Sequence, residues 1–172
     1  MVFESYLEKI TRFVVWLLEQ EHSVRLIIGD RGDTPAVQHV TREVLRQKGP
    51  LAEHIFSATP IESLDDVFRA LAGTDIVIAT RYHNVVCALM LGKPVISLGY
   101  GAKNDVLLAD VGMGRYCQHI EGFEPSVLMD HFCEVQANQK RFEACIRQRT
   151  EGYRRLVSDQ FSTLLGEPAT RA

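Results

Sequence analysis

Asp75-Ile-Val-Ile-Ala-Thr80-Arg81-Tyr82-His83 decides how this chain is read, because an apolar run is followed at once by a guanidinium and an imidazole. A short apolar run bounded by polar residues reads as a buried parallel strand. Residues just past such strands face the crevice where α/β sheets hold their ligands. A permanent cation beside a ring that titrates near neutrality suits an anion undergoing proton transfer. Working outward, Asn84-Val-Val-Cys-Ala-Leu-Met-Leu-Gly92 predicts a short apolar helix ended by glycine, and after Lys93-Pro94 comes a second buried strand, Val95-Ile-Ser-Leu98. The unit is strand, loop, helix, strand, with its polar groups expected in the loop.

The flanking sequence repeats this alternation. From Glu4 to Gln20, the apolar positions Leu7, Ile10, Phe13, Val14, Leu17 and Leu18 form one helical face. Val24–Ile28 predicts a strand and Gly29-Asp30-Arg31-Gly32-Asp33 the loop after it, with Thr34 as N-cap and Pro35 at the first helical position. Val37, Val40, Val44 and Leu45 turn that second helix towards the sheet. His54-Ile-Phe-Ser57 predicts another strand. Ser63-Leu-Asp-Asp66 opens a helix with a capping box, its apolar face being Leu64, Val67, Phe68 and Leu71 and its end Gly73. Lys103–Val111 predicts a helix, Tyr116–Ile120 a last strand, and the chain from about 125 to 165 is helical. This pattern implies α/β architecture: a single Rossmann-like, doubly wound parallel sheet of about five strands over 1–172. The strand order 2-1-3-4-5 would bring Gly29–Gly32 beside Arg81–His83.

Composition narrows the function. With 46% hydrophobic and 24% charged residues, 172 residues make one soluble domain. A net charge of −3 argues against a general nucleic-acid binder, whose affinity comes from cations neutralising phosphates. Cys87, Cys117, Cys133 and Cys145 lack C-x-x-C spacing, so structural zinc and a disulfide framework are not expected. They read as reduced core thiols of a cytoplasmic protein. Phe13-Val-Val-Trp-Leu-Leu18 is too short to span a bilayer.

Several residues could carry chemistry. Arg81 can grip a carboxylate or phosphate through two parallel hydrogen bonds, or serve as an ion pair at a helix start, for example with Asp75. His83 can exchange a proton near pH 7, or be a hydrogen-bonded histidine of the first helical turn. Gly29, Asp30, Arg31 and Gly32 form a glycine-bearing loop before a helix, suited to phosphate. They lack the dinucleotide and P-loop spacings, and tight-turn chemistry explains the glycines equally well. Tyr100 and Lys103 follow the fourth strand and can face the same crevice. Lys140, Arg141, Arg147, Arg149, Arg154 and Arg155 make the last helix basic, which suits a solvated face or peripheral contact with anionic headgroups.

Taken together, Asp75–His83, the helix after it, Gly92-Lys-Pro94-Val-Ile96, and Tyr100 with Lys103 resemble the C-terminal half of the polysaccharide pyruvyl transferase family. That family reads as a strand ending in R-[aromatic or leucine]-H, a small-apolar helix, G-x-P-V-I and Y-x-x-K. The likeness is continuous from about Ser63 to Gly112 and holds in layout from Glu4. It implies the C-terminal, donor-binding lobe of a GT-B-like fold that moves pyruvate from phosphoenolpyruvate onto a sugar or lipid-linked glycan as a ketal. By match, His83 is the general acid, Arg81, Lys103, Tyr100 and Asn84 bind the donor, and Tyr82 replaces the commoner leucine in a packed position. No metal or organic cofactor is implied.

The resemblance also implies an acceptor lobe N-terminal to this one, expected upstream of these residues or on a partner chain. The segment from Phe142 through Tyr153, Leu156 and Phe161 is expected to pack back, or to expose an apolar stripe towards that lobe or a second copy. The chain alone is expected to bind donor weakly without turnover, in the cytoplasm or at the inner face of the membrane. Two other readings stay open. One is the nucleotide-sugar-binding half of a GT-B glycosyltransferase, for which Glu62 and Asp105 are poorly placed carboxylates. The other is a non-catalytic interaction lobe in polysaccharide biosynthesis.

Overall fold

A computed structural model describes residues 2–28 and 31–165. Its elements run α1 (Val2–Glu19), β1 (Val24–Ile27), α2 (Thr34–Lys48), β2 (Phe56–Thr59), α3 (Leu64–Ala72), β3 (Val77–Ala79), α4 (Tyr82–Met90), β4 (Val95–Gly99), α5 (Ala102–Asp110), β5 (Cys117–His119), α6 (Pro125–Ala137) and α7 (Gln139–Leu165). A 3-10 turn at Arg31–Asp33 leads into α2, and another at Gly114–Tyr116 leads into β5.

All strand pairings are parallel, as the alternation predicts, but the expected single sheet is two. β1 pairs with β2, and β3, β4 and β5 form a second sheet in that order. The break falls where the order 2-1-3-4-5 would join β1 to β3. β3 is only three residues long and offers little backbone to a second neighbour on that side. Side chains bridge the gap instead: Val24 and Ile27 pack against the main core, and Arg25 Nη1 donates to the Ala70 carbonyl at 3.2 Å.

β4 is the buried centre, with every residue from Val95 to Gly99 inaccessible. Such a strand needs cover on both faces, and the helices supply it in two layers. α1 packs on α2 and α6, whereas α3, α4 and α5 follow one another and α7 lies against α4. The first layer is knit by aromatic edges: Phe132 of α6 meets Phe13 at 6.1 Å and Trp16 at 5.9 Å. A smaller core of Leu7, Val14, Val40, Val44 and Phe56 seals α1 and α2 over β1 and β2.

Several local expectations shift. β2 starts at Phe56, because Ala52 accepts hydrogen bonds from the Ile55 and Phe56 amides and holds 53–55 in a turn. Asp33, not Thr34, is the N-cap of α2, since the 3-10 turn continues directly into the helix. Leu45 and Leu64 are solvent-exposed, one flank away from their helices' buried faces. Cys133 is exposed and is no core thiol, while Cys87 is buried. The Ser63–Asp66 capping box forms as predicted: Asp66 N donates to Ser63 Oγ at 3.2 Å and Ser63 N to Asp66 Oδ2 at 3.0 Å. The Ser63 hydroxyl, donating to Asp66 Oδ2 at 2.8 Å, lowers the Asp66 pKa, and the Glu62 amide adds to the shift. Among the described residues no helix is long and apolar enough to cross a membrane.

Gly92 ends α4 with φ at 71°, and a Cβ there would lie 3.0 Å from Arg147 Cγ on α7. The positive φ demands glycine, and the Arg147 side chain would also have to give by a few tenths of an ångström. We expect Gly92→Ala to cost about 1–3 kcal/mol, the usual penalty for a left-handed non-glycine residue. Urea titration with an unchanged slope checks this, and Gly73→Ala, where nothing lies within 4 Å, serves as the control.

Candidate functional site

The C-terminal ends of the strands carry the site, and an ion pair organises it. Arg81 Nε donates to Asp33 Oδ2 at 2.6 Å and Nη2 to Oδ1 at 2.5 Å, a two-pronged contact between residues one-third exposed. Asp33 is the N-cap of α2 and Arg81 the N-cap of α4, and neither side chain caps its own helix. Two helix N-termini therefore meet at one edge, where their dipoles favour negative charge. The post-β1 loop does reach Arg81, although its partner is Asp33, not Asp75. Gly32 is exposed, Arg31 belongs to the 3-10 turn, and Gly29 and Asp30 lie outside the described residues.

Tyr82 and His83 do not stay in a loop. They form the first turn of α4, because β3 ends at Ala79 and Thr80-Arg81 suffices for the turn into the helix. Both are exposed, their rings meeting edge-on at 6.0 Å, so Tyr82 is not a packed position. Asn84 is half-buried, one residue further into the same helical turn.

Beneath this edge lies a polar contact that sequence reasoning missed. Asn104 is 4% exposed. Its Nδ2 donates to Ser97 Oγ at 2.9 Å and, more weakly, to the Thr80 carbonyl at 3.4 Å. It thereby ties α5 to β4 and to the turn that aims Arg81. Gly99 makes room for it, since a Cβ there would sit 3.0 Å from Asn104 Nδ2. A signal was available, because Asn104 stands in register with Leu108 and Val111, a polar residue on an otherwise buried stripe.

Tyr100 and Lys103 are both exposed, on the loop after β4 and in the first turn of α5. Tyr100 lines a cleft of about 200 Å³ at the ends of β4 and β5, together with Gly101, Asp105, Cys117, Gln118 and His119. Arg81, His83 and Lys103 do not line it. Asp105, poorly placed on sequence grounds, does. Burial pushes the Cys117 thiol up to about 12, and the nearby Asp105 carboxylate adds to the shift. A larger cleft of about 660 Å³ lies between α1 and α2, lined by Arg12, Trp16, His39 and Glu43 and none of the strand-end residues. No group of three or more His, Cys, Asp or Glu able to hold a metal occurs among the described residues.

A family model described as polysaccharide pyruvyl transferase matches residues 2–102, more than half of the chain. The chain belongs to the polysaccharide pyruvyl transferase family. The family match takes in every strand up to β4, the Asp33–Arg81 pair, His83 and Tyr100, and it ends just before Lys103 and Asn104. Searches of curated proteins and of solved structures gave no match.

Two measurements test this account of the site. Asn104→Ala leaves a buried hydroxyl and a carbonyl without their donor and is expected to cost about 1–3 kcal/mol by thermal or chemical unfolding. At pH 8 a thiol reagent is expected to modify exposed Cys133 first. Cys117 should stay protonated and unreactive, as a Cys117→Ser variant with unchanged labelling would show.

Proposed function

We propose that the chain provides the phosphoenolpyruvate-binding part of a pyruvyl transferase, the C-terminal lobe of a GT-B-like arrangement. The observation carrying this reading is the convergence of Arg81 and two helix N-termini at the end of β3, with His83 two residues beyond the cation in the first turn of α4. A donor with a carboxylate and a phosphate calls for such an electropositive edge.

The chemistry assigns the roles. His83 delivers a proton to the methylene carbon of the enol, leaving the adjacent carbon electron-poor. A sugar hydroxyl adds there, and its proton returns to the His83 imidazole. A second hydroxyl then forms the other ketal bond as the carbon–oxygen bond to phosphate breaks, its proton leaving with inorganic phosphate. Cations stabilise the charge that accumulates on the departing group. Arg81 holds the carboxylate or phosphate, Lys103 neutralises the leaving phosphate, and Tyr100 and Asn84 border the donor. The sugar comes from an acceptor-binding lobe beyond these residues, so donor binding without turnover is the behaviour proposed for this chain alone.

Asp33 gives the reading an unusual handle, because a donor anion competes with its carboxylate for the Arg81 guanidinium. Titration with phosphoenolpyruvate, followed by calorimetry or by the amide signals of Tyr82–Asn84, is expected to show binding. Arg81→Ala should lose about tenfold or more in affinity, the equivalent of about 1.4 kcal/mol. His83→Asn should leave affinity nearly unchanged, and Asp33→Asn should bind more tightly while unfolding at a lower temperature. A purely structural pair predicts that Asp33→Asn costs stability and changes nothing in binding.

The nucleotide-sugar reading has one observation in its favour, the Asp105 carboxylate in the Tyr100 cleft. The same titration separates the two. A nucleotide sugar that shifts the Tyr100–Gly101 signals, with no response to phosphoenolpyruvate, would sink the pyruvyl reading.

A further inference from the structure

The second half of α7 leaves the body of the protein. Phe142 and Ile146 are buried, and Arg154 Nη2 still reaches the Met90 carbonyl at 3.3 Å. From Glu151 to Leu165, however, every residue except Ser162 is exposed. At 100° per residue, Tyr153, Val157 and Leu164 continue the line of Phe142 and Ile146, with Leu156 and Phe161 on its two flanks. They are 40%, 49%, 81%, 61% and 59% exposed, in the order named. The face that builds the core thus runs on past the domain edge as an apolar stripe that none of the described residues covers.

We propose that this stripe pairs with the same stripe of a second copy, antiparallel, about a two-fold axis at Val157. Charge selects this occupant over a lipid surface. Residues 151–165 carry Glu151 and Asp159 against Arg154 and Arg155, a net charge of zero. A helix lying on anionic headgroups needs a strongly basic polar face. The basic residues noted in the sequence lie largely further back, and several are already paired: Arg147 with Glu143 at 3.5 Å and Arg155 with Glu151 at 2.9 Å.

The stripe is also complementary to itself. Around an axis at Val157, Tyr153 faces Phe161, Thr150 faces Leu164 and Arg154 faces Gln160, so no like charges meet. Antiparallel pairing sends the two domains to opposite ends, whereas parallel pairing would force them side by side. The area is of the right order. A large aromatic covers about 150–250 Å² when buried, so five partly exposed apolar side chains present on the order of 500 Å² per copy. The flanking polar rows bring this towards the roughly 800 Å² per partner of a stable interface.

Sedimentation equilibrium of the 172-residue chain is expected to show a monomer–dimer equilibrium. Val157→Glu and Val157→Lys should each be monomeric, with unchanged helical circular dichroism and thermal midpoint. An equimolar mixture should dimerise again, because position 157 then faces its opposite charge. The proposal is overturned if the wild type stays monomeric throughout, as it would were the stripe reserved for another lobe. It is equally overturned if either single variant dimerises like the wild type, or if the mixture remains monomeric.

Discussion

Asp33 and Arg81 hold each other across the gap between two sheets that share no backbone pairing among the described residues. The consequence is geometric more than energetic. A pair one-third exposed contributes only about 1 kcal/mol. It nevertheless sets where α2 begins relative to α4, and so whether two helix N-termini converge or diverge. Everything proposed for the strand ends depends on that convergence. A carboxylate in this position also has a cost, because it occupies the cation that a ligand anion would seek. Sites that keep an internal counter-ion exchange it on binding, so the cation need never be buried without one.

A second constraint acts below the first. Asn104, Ser97 and Gly99 form a small polar insert in an otherwise apolar centre, and the amide reaches up to the Thr80 carbonyl immediately before Arg81. A buried amide with partners on two elements specifies one relative placement of β3, β4 and α5, whereas apolar contacts tolerate sliding. The result is a fixed polar floor under an exposed rim. α7 shows the reverse case, where a helix face continues after its partner surface stops.

Much of this was legible along the chain. Periodicity located α1, α2 and α3, the Ser63–Asp66 capping box marked a helix start, and the apolar runs ending at Ala79 and Leu98 marked β3 and β4. The motif around Arg81 and His83 led to the family that the comparison then showed. What escaped was mostly a matter of flanks and pairing. Tyr82, in a position the family resemblance implies is packed, is exposed, because at the start of a helix one step of 100° separates buried from exposed. The partner of Arg81 is not Asp75, near in sequence, but Asp33, which tertiary folding brings across 48 positions. The role of Asn104 is not legible along the chain, because a polar residue on an apolar stripe gains meaning only through its partners, here Ser97 and Thr80.

The sequence by itself determined the order of elements, their parallel class and the family, because hydrophobic period, caps and glycine positions are local properties that each segment carries. Only the tertiary structure decided that the sheet divides between β1 and β3, that Asp33 engages Arg81, that Asp105 rather than Lys103 lines the cleft beside Tyr100, and that the apolar face of α7 outruns the domain. Each of these turns on distances between residues far apart in the chain. Such distances are set by how whole faces pack, and no window of sequence contains them.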